Sequence, residues 1–284
     1  MPDPGPDREL TVSVIVPAMN EAANLGHVLG AIPESTWEVI LVDGRSTDGT
    51  VSVAKSLRPD IVVVHQTGVG KGNALACGFA VASGDIVVMI DADASMDPGE
   101  IPAFVDAVAA SPGRYAKGSR LVRSGGSDDL TVIRRLGNRM LVSLVNSLFG
   151  TRYTDLCYGF IAFWRRDLDL LGFACASPGS VAEAHRNLGF EVETYLNIRA
   201  ARAGLRIVEV PSFERKRANG VSNLRVVRDG LRVLRTIVVE WLGAPLVRSG
   251  APVPYVHPLV DSAHPGSLET EICLRQLLEA EQSG

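Results

Sequence analysis

Residues 86–100 read IVVMIDADASMDPGE. The apolar run from Ile86 to Ile90 ends in Asp91 and Asp93, one residue apart. The run has the composition of a buried strand. Two like charges this close repel each other and resist burial, so a basic side chain or a metal ion is expected beside them. In an extended strand, residues i and i+2 point to the same side, which would turn both carboxylates toward one site.

The flanking sequence repeats the pattern. TVSVIVPA (11–18) predicts a strand, and NEAANLGHVLGAI (20–32) a helix with Asn20 as N-cap. WEVILVDG (37–44) and DIVVVHQT (60–67) predict further strands. STDGTVSVAKSL (46–57), GKGNALACGFAVAS (70–83) and DPGEIPAFVDAVAA (97–110) predict helices. The alternation implies an α/β fold, a parallel sheet with helices on both faces. Ligands of such sheets bind outside the carboxyl ends of the strands. Asn20, Glu21, Asp43, Lys71, Asp91 and Asp93 all fall at such ends. Farther on, ARAGLRIVEVPSF (201–213) predicts a helix end, a glycine cap and a strand, and SNLRVVRDGLRVLRTIVVEWLGA (222–244) a long amphipathic helix. The expected organisation is a disordered, Pro-rich leader (1–10), one catalytic domain (11–243) and a Pro-rich tail (244–284) in which LETEICLRQLLEA forms a short helix.

The chain has 284 residues, 46% hydrophobic and 21% charged, which fits a soluble globular protein with a sizeable core. A net charge of −4 gives no global reason to expect nucleic acid. Local charge differs: residues 114–139 hold seven basic and two acidic side chains, and residues 199–235 ten and three, so both stretches suit phosphates. The four cysteines form no CxxC pair, which predicts reduced thiols, a cytoplasmic location and no zinc site. The N-terminus lacks signal-peptide character, and no apolar run reaches the length of a membrane span. Membrane contact, if made, is then peripheral, at the inner face.

Two carboxylates on so short a scaffold suit Mg2+ or Mn2+, with substrate phosphates completing the shell. The plainer alternative is a strand-end turn, with Asp97-Pro98 capping the next helix. In DGRSTDGT (43–50), Asp43 can accept a hydrogen bond from a base N–H or a ribose hydroxyl, Arg45 can reach a ligand, and turn chemistry alone is the alternative. GVGKGNA (68–74) is no Walker loop: Gly72 follows Lys71, and His65 stands where the earlier glycine is required. Lys71 is expected near a nucleotide from a different loop, or as a solvated helix-start lysine. RRLGNRMLVSLVNSLFG (134–150) fits a helix lying at a membrane surface and equally an ordinary core-facing one.

SVIVPAMNEAANL, VDGRSTDGT, GKGNALACGFAVASGDIVVMIDAD and KGSR, followed by TDLCYGFIAFWR, GFEVET, AGLRIVEVPSF and RANGVSNL, resemble the family-2 glycosyltransferases over residues 11–240. The likeness is greatest to the branch with dolichol- and polyprenyl-phosphate mannose synthases. It implies a GT-A, Rossmann-like fold with a mainly parallel mixed sheet, a nucleotide-sugar donor, a divalent metal and inversion at the anomeric carbon. By the resemblance, Pro17, Asn20, Glu21 and Asp43 surround the donor nucleoside, with Lys71 nearby. Asp91 and Asp93 hold the metal against the diphosphate, and Arg120 binds phosphate. Arg134 or Arg135, together with Arg217, handles donor and acceptor phosphates. Glu193 and Asp155 lie on the acceptor side. Relatives often carry Gln where this chain has Ser95, and many continue into membrane-spanning helices where this one is Pro-rich.

The implied reaction transfers a hexose from GDP-mannose or a UDP-sugar to a polyprenyl phosphate. A metal and arginines would stabilise the leaving diphosphate. A phosphate acceptor needs cations, which Arg134, Arg135, Arg215, Lys216 and Arg217 could supply; a sugar hydroxyl would need a base, Glu193 or Asp155. The same chemistry on a small soluble acceptor is the nearest alternative. A sugar-nucleotide nucleotidyltransferase would need a Gly-rich, Arg-containing loop after the first strand, which PAMNEAANL lacks. A non-catalytic nucleotide-sugar-binding protein would have little use for the intact acidic and basic clusters.

Overall fold

The first-half strands are apolar at nearly every position, the pattern of parallel strands covered on both faces. The computed structural model describes residues 9–173, 188–220, 226–243 and 260–261. Strand β1 (Val12–Ala18) lies between β2 (Glu38–Asp43) and β4 (Ile86–Met89), parallel to both, and β3 (Val62–His65) continues the parallel set beyond β2. Strands β5 (Arg114–Ser119), β6 (Gly126–Ser127), β7 (Ile161–Trp164), β8 (Arg206–Pro211), β9 (Phe213–Glu214) and β10 (Val260–Asp261) follow. The main sheet has the order β10-β3-β2-β1-β4-β7-β5-β8, and β6 pairs with β9 apart from it. Strand β7 runs antiparallel to both neighbours, and β10 is antiparallel to β3. The sheet is therefore mixed but mainly parallel, as the resemblance implies. The remaining six strands, β1 to β5 and β8, all end at one edge.

Alternate side chains feed two cores. Val14, Val16, Leu41, Val63 and Val88 meet helices α1 (Leu25–Leu29), α2 (Thr50–Leu57) and α4 (Ile101–Ala109) on one face. Ile15, Ile40, Val42, Val64 and Val87 meet α3 (Lys71–Val81) and α6 (Val192–Arg202) on the other. Helix α3 reaches the sheet closely because Gly78 stands over Ile15 and Val42; a Cβ there would lie 2.6 Å and 2.9 Å from their methyl carbons. A third cluster, with Val142, Val145, Ile198, Val233 and Ile237, packs α5 (Val132–Phe149) and α7 (Val226–Leu242) onto α6. Glu240, buried on α7, accepts from Arg199 Nη2 at 3.0 Å and from Arg202 Nη1 at 2.8 Å, both on α6, and fixes that packing.

Three local expectations change. Asn20 is no helix cap: it adopts φ 58°, and α1 starts only at Leu25 after Asn24. Strand β4 stops at Met89, so Asp91 and Asp93 stand in the following turn, and their placement does not come from strand alternation. Helix α5 is core-facing on one side only: Val142 and Val145 are buried, while Val132, Ile133, Leu136 and Met140 are exposed. The terminal helix expected in 268–280 lies outside the described residues, as do Cys175 and Cys273; Cys77 and Cys157 are free thiols.

The contact at Gly78 is testable. Gly78→Val forces branched carbons into Ile15 and Val42 and is expected to lower the unfolding free energy by about 1–3 kcal/mol. Urea denaturation reads it; an unchanged midpoint would show that α3 moves freely off the sheet.

Candidate active site

The shared carboxyl edge gathers the polar side chains. At the end of β2, the buried Asp43 accepts from the backbone N–H groups of Arg45 and Ser46, at 3.1 Å each, and lies 3.3 Å from His65 Nδ1. Asn20 stitches this loop to the one after β1: its Oδ1 accepts from Thr47 N at 2.8 Å, and its N donates to Ser46 Oγ at 2.9 Å. Both Asn20 and Arg45 hold positive φ, 58° and 67°, conformations that a cross-braced pair of loops can maintain. Pro17 sits in β1 opposite Val42. Pro17, Asn20, Glu21 and Asp43 thus lie on two adjacent strand ends, which is where a ligand crossing this edge would meet them.

The charges of the DAD turn are compensated by two cations. Lys71, the first residue of α3, places Nζ against Asp91 Oδ1 and 2.6 Å from Glu193 Oε1. Arg217 pairs with Glu21 through Nη2 and with Asp93 Oδ2 through Nη1 at 3.4 Å. Ala94 turns the chain with φ 63°, and Asp93 Oδ1 accepts from Ser95 N at 3.0 Å. The segment carrying Arg217 is strapped across the turn. Arg215 N donates to Ser95 O at 2.8 Å, Arg215 Nη2 meets Asp97 at 2.7 Å, and Asn219 Nδ2 donates to Ala23 O at 3.1 Å.

Among the described residues, no group of three or more His, Cys, Asp or Glu side chains is arranged to hold a metal. Asp91 and Asp93 alone, each about one quarter exposed, fit the kind of Mg2+ site in which the protein gives one or two carboxylates and substrate phosphates give the rest.

Glu193, in the first turn of α6, is buried, and its Oε2 has no hydrogen-bond partner. Burial pushes its pKa up, Lys71 opposes this, and the Asp91 charge adds to the rise. For Lys71, burial disfavours the ammonium, but Asp91 and Glu193 outweigh it and raise the pKa, so Lys71 stays charged. Arg120 has no such freedom. Its Nε and Nη2 donate to the two oxygens of Asp155 at 2.7 Å and 2.9 Å, and Nη1 donates to Glu214 at 2.9 Å. The geometry gives Asp155, wholly buried, the place of a positioning partner for Arg120 rather than of a base facing an acceptor.

One cavity of about 200 Å³ links these groups. Asp91, Asp93, Ser95, Arg120, Glu193 and Arg217 line one end, and Leu130, Ile133, Leu141, Phe190 and Val233 line the cleft between α5 and α7. Arg134 lines it, paired with Asp129 at 2.5 Å, whereas Arg135 is exposed and does not. Sequence reasoning missed Glu214, Asn138 and the apolar lining. No motif marks them: β9 carries Glu214 to the cavity, and the packing of α5 and α7 brings Asn138 and most of the apolar lining.

The buried arginine triad gives an acid-stability signature. Burial alone would raise the Asp155 pKa, but Lys117 and Arg120 hold it down to about 2. That lies below the unfolded value of about 4, so the charge contributes stability that is complete above about pH 4 and lost as pH falls through about 2. In urea denaturation, the stability gap between the native chain and Asp155→Asn should be widest at neutral pH and shrink between about pH 4 and pH 2. A gap that ignores pH would remove Asp155 as the titrating group.

Comparison with known proteins converges on one family. Residues 13–171 match the family model described as Glycosyl transferase family 2. The chain is 32% identical over 232 residues to an undecaprenyl-phosphate mannosyltransferase of Micrococcus luteus, covering 76% of this chain and 88% of that protein. It is 30% identical over 238 residues to a polyprenol monophosphomannose synthase of Mycolicibacterium smegmatis, covering 80% and 85%. Its fold is similar to that of glucosyl-3-phosphoglycerate synthase from Mycobacterium tuberculosis in complex with Mn2+, UDP and glucosyl-3-phosphoglycerate, with TM-score 0.61, 26% identity and coverage of 91% and 88%. With a GT-A sheet, acidic and basic clusters at its carboxyl edge and a family match across more than half its length, the chain belongs to glycosyltransferase family 2.

Proposed function

We propose that the chain is an inverting hexosyltransferase that moves a hexose from a nucleotide-diphosphate sugar, GDP-mannose or a UDP-sugar, to a polyprenyl phosphate. One observation carries this reading: a single cavity joins the carboxylates and cations of the sheet edge to an apolar cleft between α5 and α7. A phosphate head on an apolar chain matches both of its ends. The relatives named for undecaprenyl-phosphate and polyprenol support the same acceptor class.

In this reading the nucleoside lies along Pro17, Asn20, Glu21 and Asp43, with Lys71 near the diphosphate. Asp91 and Asp93 would hold Mg2+ or Mn2+, as ions present in complexes of the glucosyl-3-phosphoglycerate synthase, and the metal would neutralise charge developing on the leaving diphosphate. Arg217 and Arg134 face the cavity and supply cations for phosphate oxygens, while Asp155 and Glu214 keep Arg120 in place. An oxygen of the acceptor phosphate bonds to the anomeric carbon as the bond from that carbon to the diphosphate oxygen breaks, which inverts the configuration. That oxygen is already anionic near neutral pH, so no proton has to move. The second reading keeps the donor but uses a small soluble acceptor. The fold similarity to a synthase of glucosyl-3-phosphoglycerate favours it. A hydroxyl acceptor would lose its proton to Glu193.

The lipid reading also calls for peripheral membrane contact. No helix of the described residues is long and apolar enough to cross a membrane. Instead α7 exposes Val227, Leu231, Leu234, Val238 and Trp241 along one stripe, and α5 exposes Val132, Ile133, Leu136 and Met140. Exposed Arg135, Arg139, Arg228 and Arg235 accompany them and suit anionic headgroups.

Nucleotide release from a panel of nucleotide sugars, with Mg2+ or Mn2+ and with or without polyprenyl phosphate, tests the reaction. Lipid-dependent release is expected, with at least a hundredfold loss (~100-fold) in Asp93→Ala. Release that ignores the lipid would favour the soluble acceptor, and no release from any donor would sink both. On anionic vesicles the native chain should co-sediment, and Leu136→Asp with Leu231→Asp should stay in the supernatant while keeping the native circular dichroism. Equal sedimentation of the two would remove these faces from membrane contact.

A further inference from the structure

Helices α5 and α7 each carry a glycine in the interior, Gly137 and Gly230, where alanine would make the stronger helix. Neither has positive φ, so the backbone does not call for glycine. Packing does not call for it either: among the described residues, a Cβ built at Gly137 or at Gly230 meets no heavy atom within 4 Å. What the two have in common is the space in front of them, since both line the cavity that reaches Asp91, Asp93 and Glu193.

A second observation, independent of the glycines, marks that space as a ligand site. Asn138, next to Gly137, is 4% exposed and lines the same cavity. Its Oδ1 accepts from Leu156 N at 3.1 Å, which fixes the amide, while Nδ2 has no partner. A buried donor left unpaired costs stability unless something in the cavity accepts from it. Glu193, which lines the same cavity, also has an unpaired atom, Oε2. Leu130, Ile133, Leu141 and Val233 add an apolar lining, beside the charged Asp129, Arg134 and Asp229, and Ile133 belongs to the exposed face of α5. The cleft therefore runs from an unpaired polar rim to an apolar surface.

We propose that Gly137 and Gly230 are specificity-determining residues: they hold the α5–α7 cleft wide enough for the branched prenyl chain of the acceptor, whose phosphate receives a hydrogen bond from Asn138 Nδ2. This rests on the polyprenyl phosphate reading. Side chains larger than hydrogen at either position would occupy the path of the chain without touching the donor.

The test uses the full chain, a nucleotide sugar that supports turnover, and polyprenyl phosphate. Gly137→Leu and Gly230→Leu are expected to raise KM for the lipid at least about ten-fold. The Kd for the nucleotide sugar, from calorimetry, should not change. Folded leucine variants with unchanged lipid KM, or with donor affinity lost in parallel, would overturn the assignment. Where circular dichroism shows a leucine variant unfolded, the double variant G137A/G230A decides. Its methyl groups meet no described atom, so Tm should rise, and KM for the lipid should rise about three-fold. A higher Tm with the native KM overturns the proposal. If the native chain shows no lipid-dependent turnover, the polyprenyl phosphate reading itself fails and this inference falls with it. Lipid-dependent turnover with indifferent variants defeats this inference alone.

Discussion

A single buried ammonium sets the geometry of the site. Lys71 opens α3, the end of a helix where a cation is disfavoured. It is held there by Asp91 from the turn after β4 and by Glu193 from α6, so three segments distant in the chain share one charge cluster. Removing one member of such a buried set leaves an uncompensated charge, which typically costs about 3–5 kcal/mol. The position of α6 relative to the first-half sheet, and through it the positions of α5 and α7, is tied to this cluster. The polar sheet edge and the α5–α7 cleft are thus parts of one framework.

Arg217 plays the complementary part from the other side. Its segment, strapped to Ser95, Asp97 and Ala23, brings the guanidinium between Asp93 and Glu21. Both aspartates of the turn therefore have a protein cation beside them. A metal and a diphosphate together carry charges of both signs, so in the proposed reaction they can exchange with these ion pairs without leaving a buried charge bare. The Arg120 triad differs in kind. Its guanidinium donates from all three nitrogens to Asp155 and Glu214, which suits a fixed wall rather than a moving clamp.

The alternation of strand and helix, the gathering of polar residues at the carboxyl edge of the sheet, and the charge problem at Asp91 and Asp93 were all legible residue by residue. The conformational details were not. Reading Asn20 as a cap failed because its side chain braces the neighbouring loop instead. The strand argument for Asp91 and Asp93 failed because β4 ends at Met89, and cations from elsewhere then position the carboxylates. The choice between Arg134 and Arg135 needs the direction in which α5 packs, which adjacent residues of identical chemistry cannot reveal.

By itself the sequence determined the α/β class, the order of the elements and the polar identity of the strand ends. Hydrophobic period and turn chemistry act over a few residues, so they are written locally. Folding supplied the pairings across the chain: Lys71 with Glu193 at a separation of 122 residues, and Arg217 with Asp93 at 124. It also made the cleft, which Gly137 and Asn138 of one helix and Gly230 of another line together. A cavity has no residue of its own to be read. It exists only as the space left when α5 and α7 settle on α6.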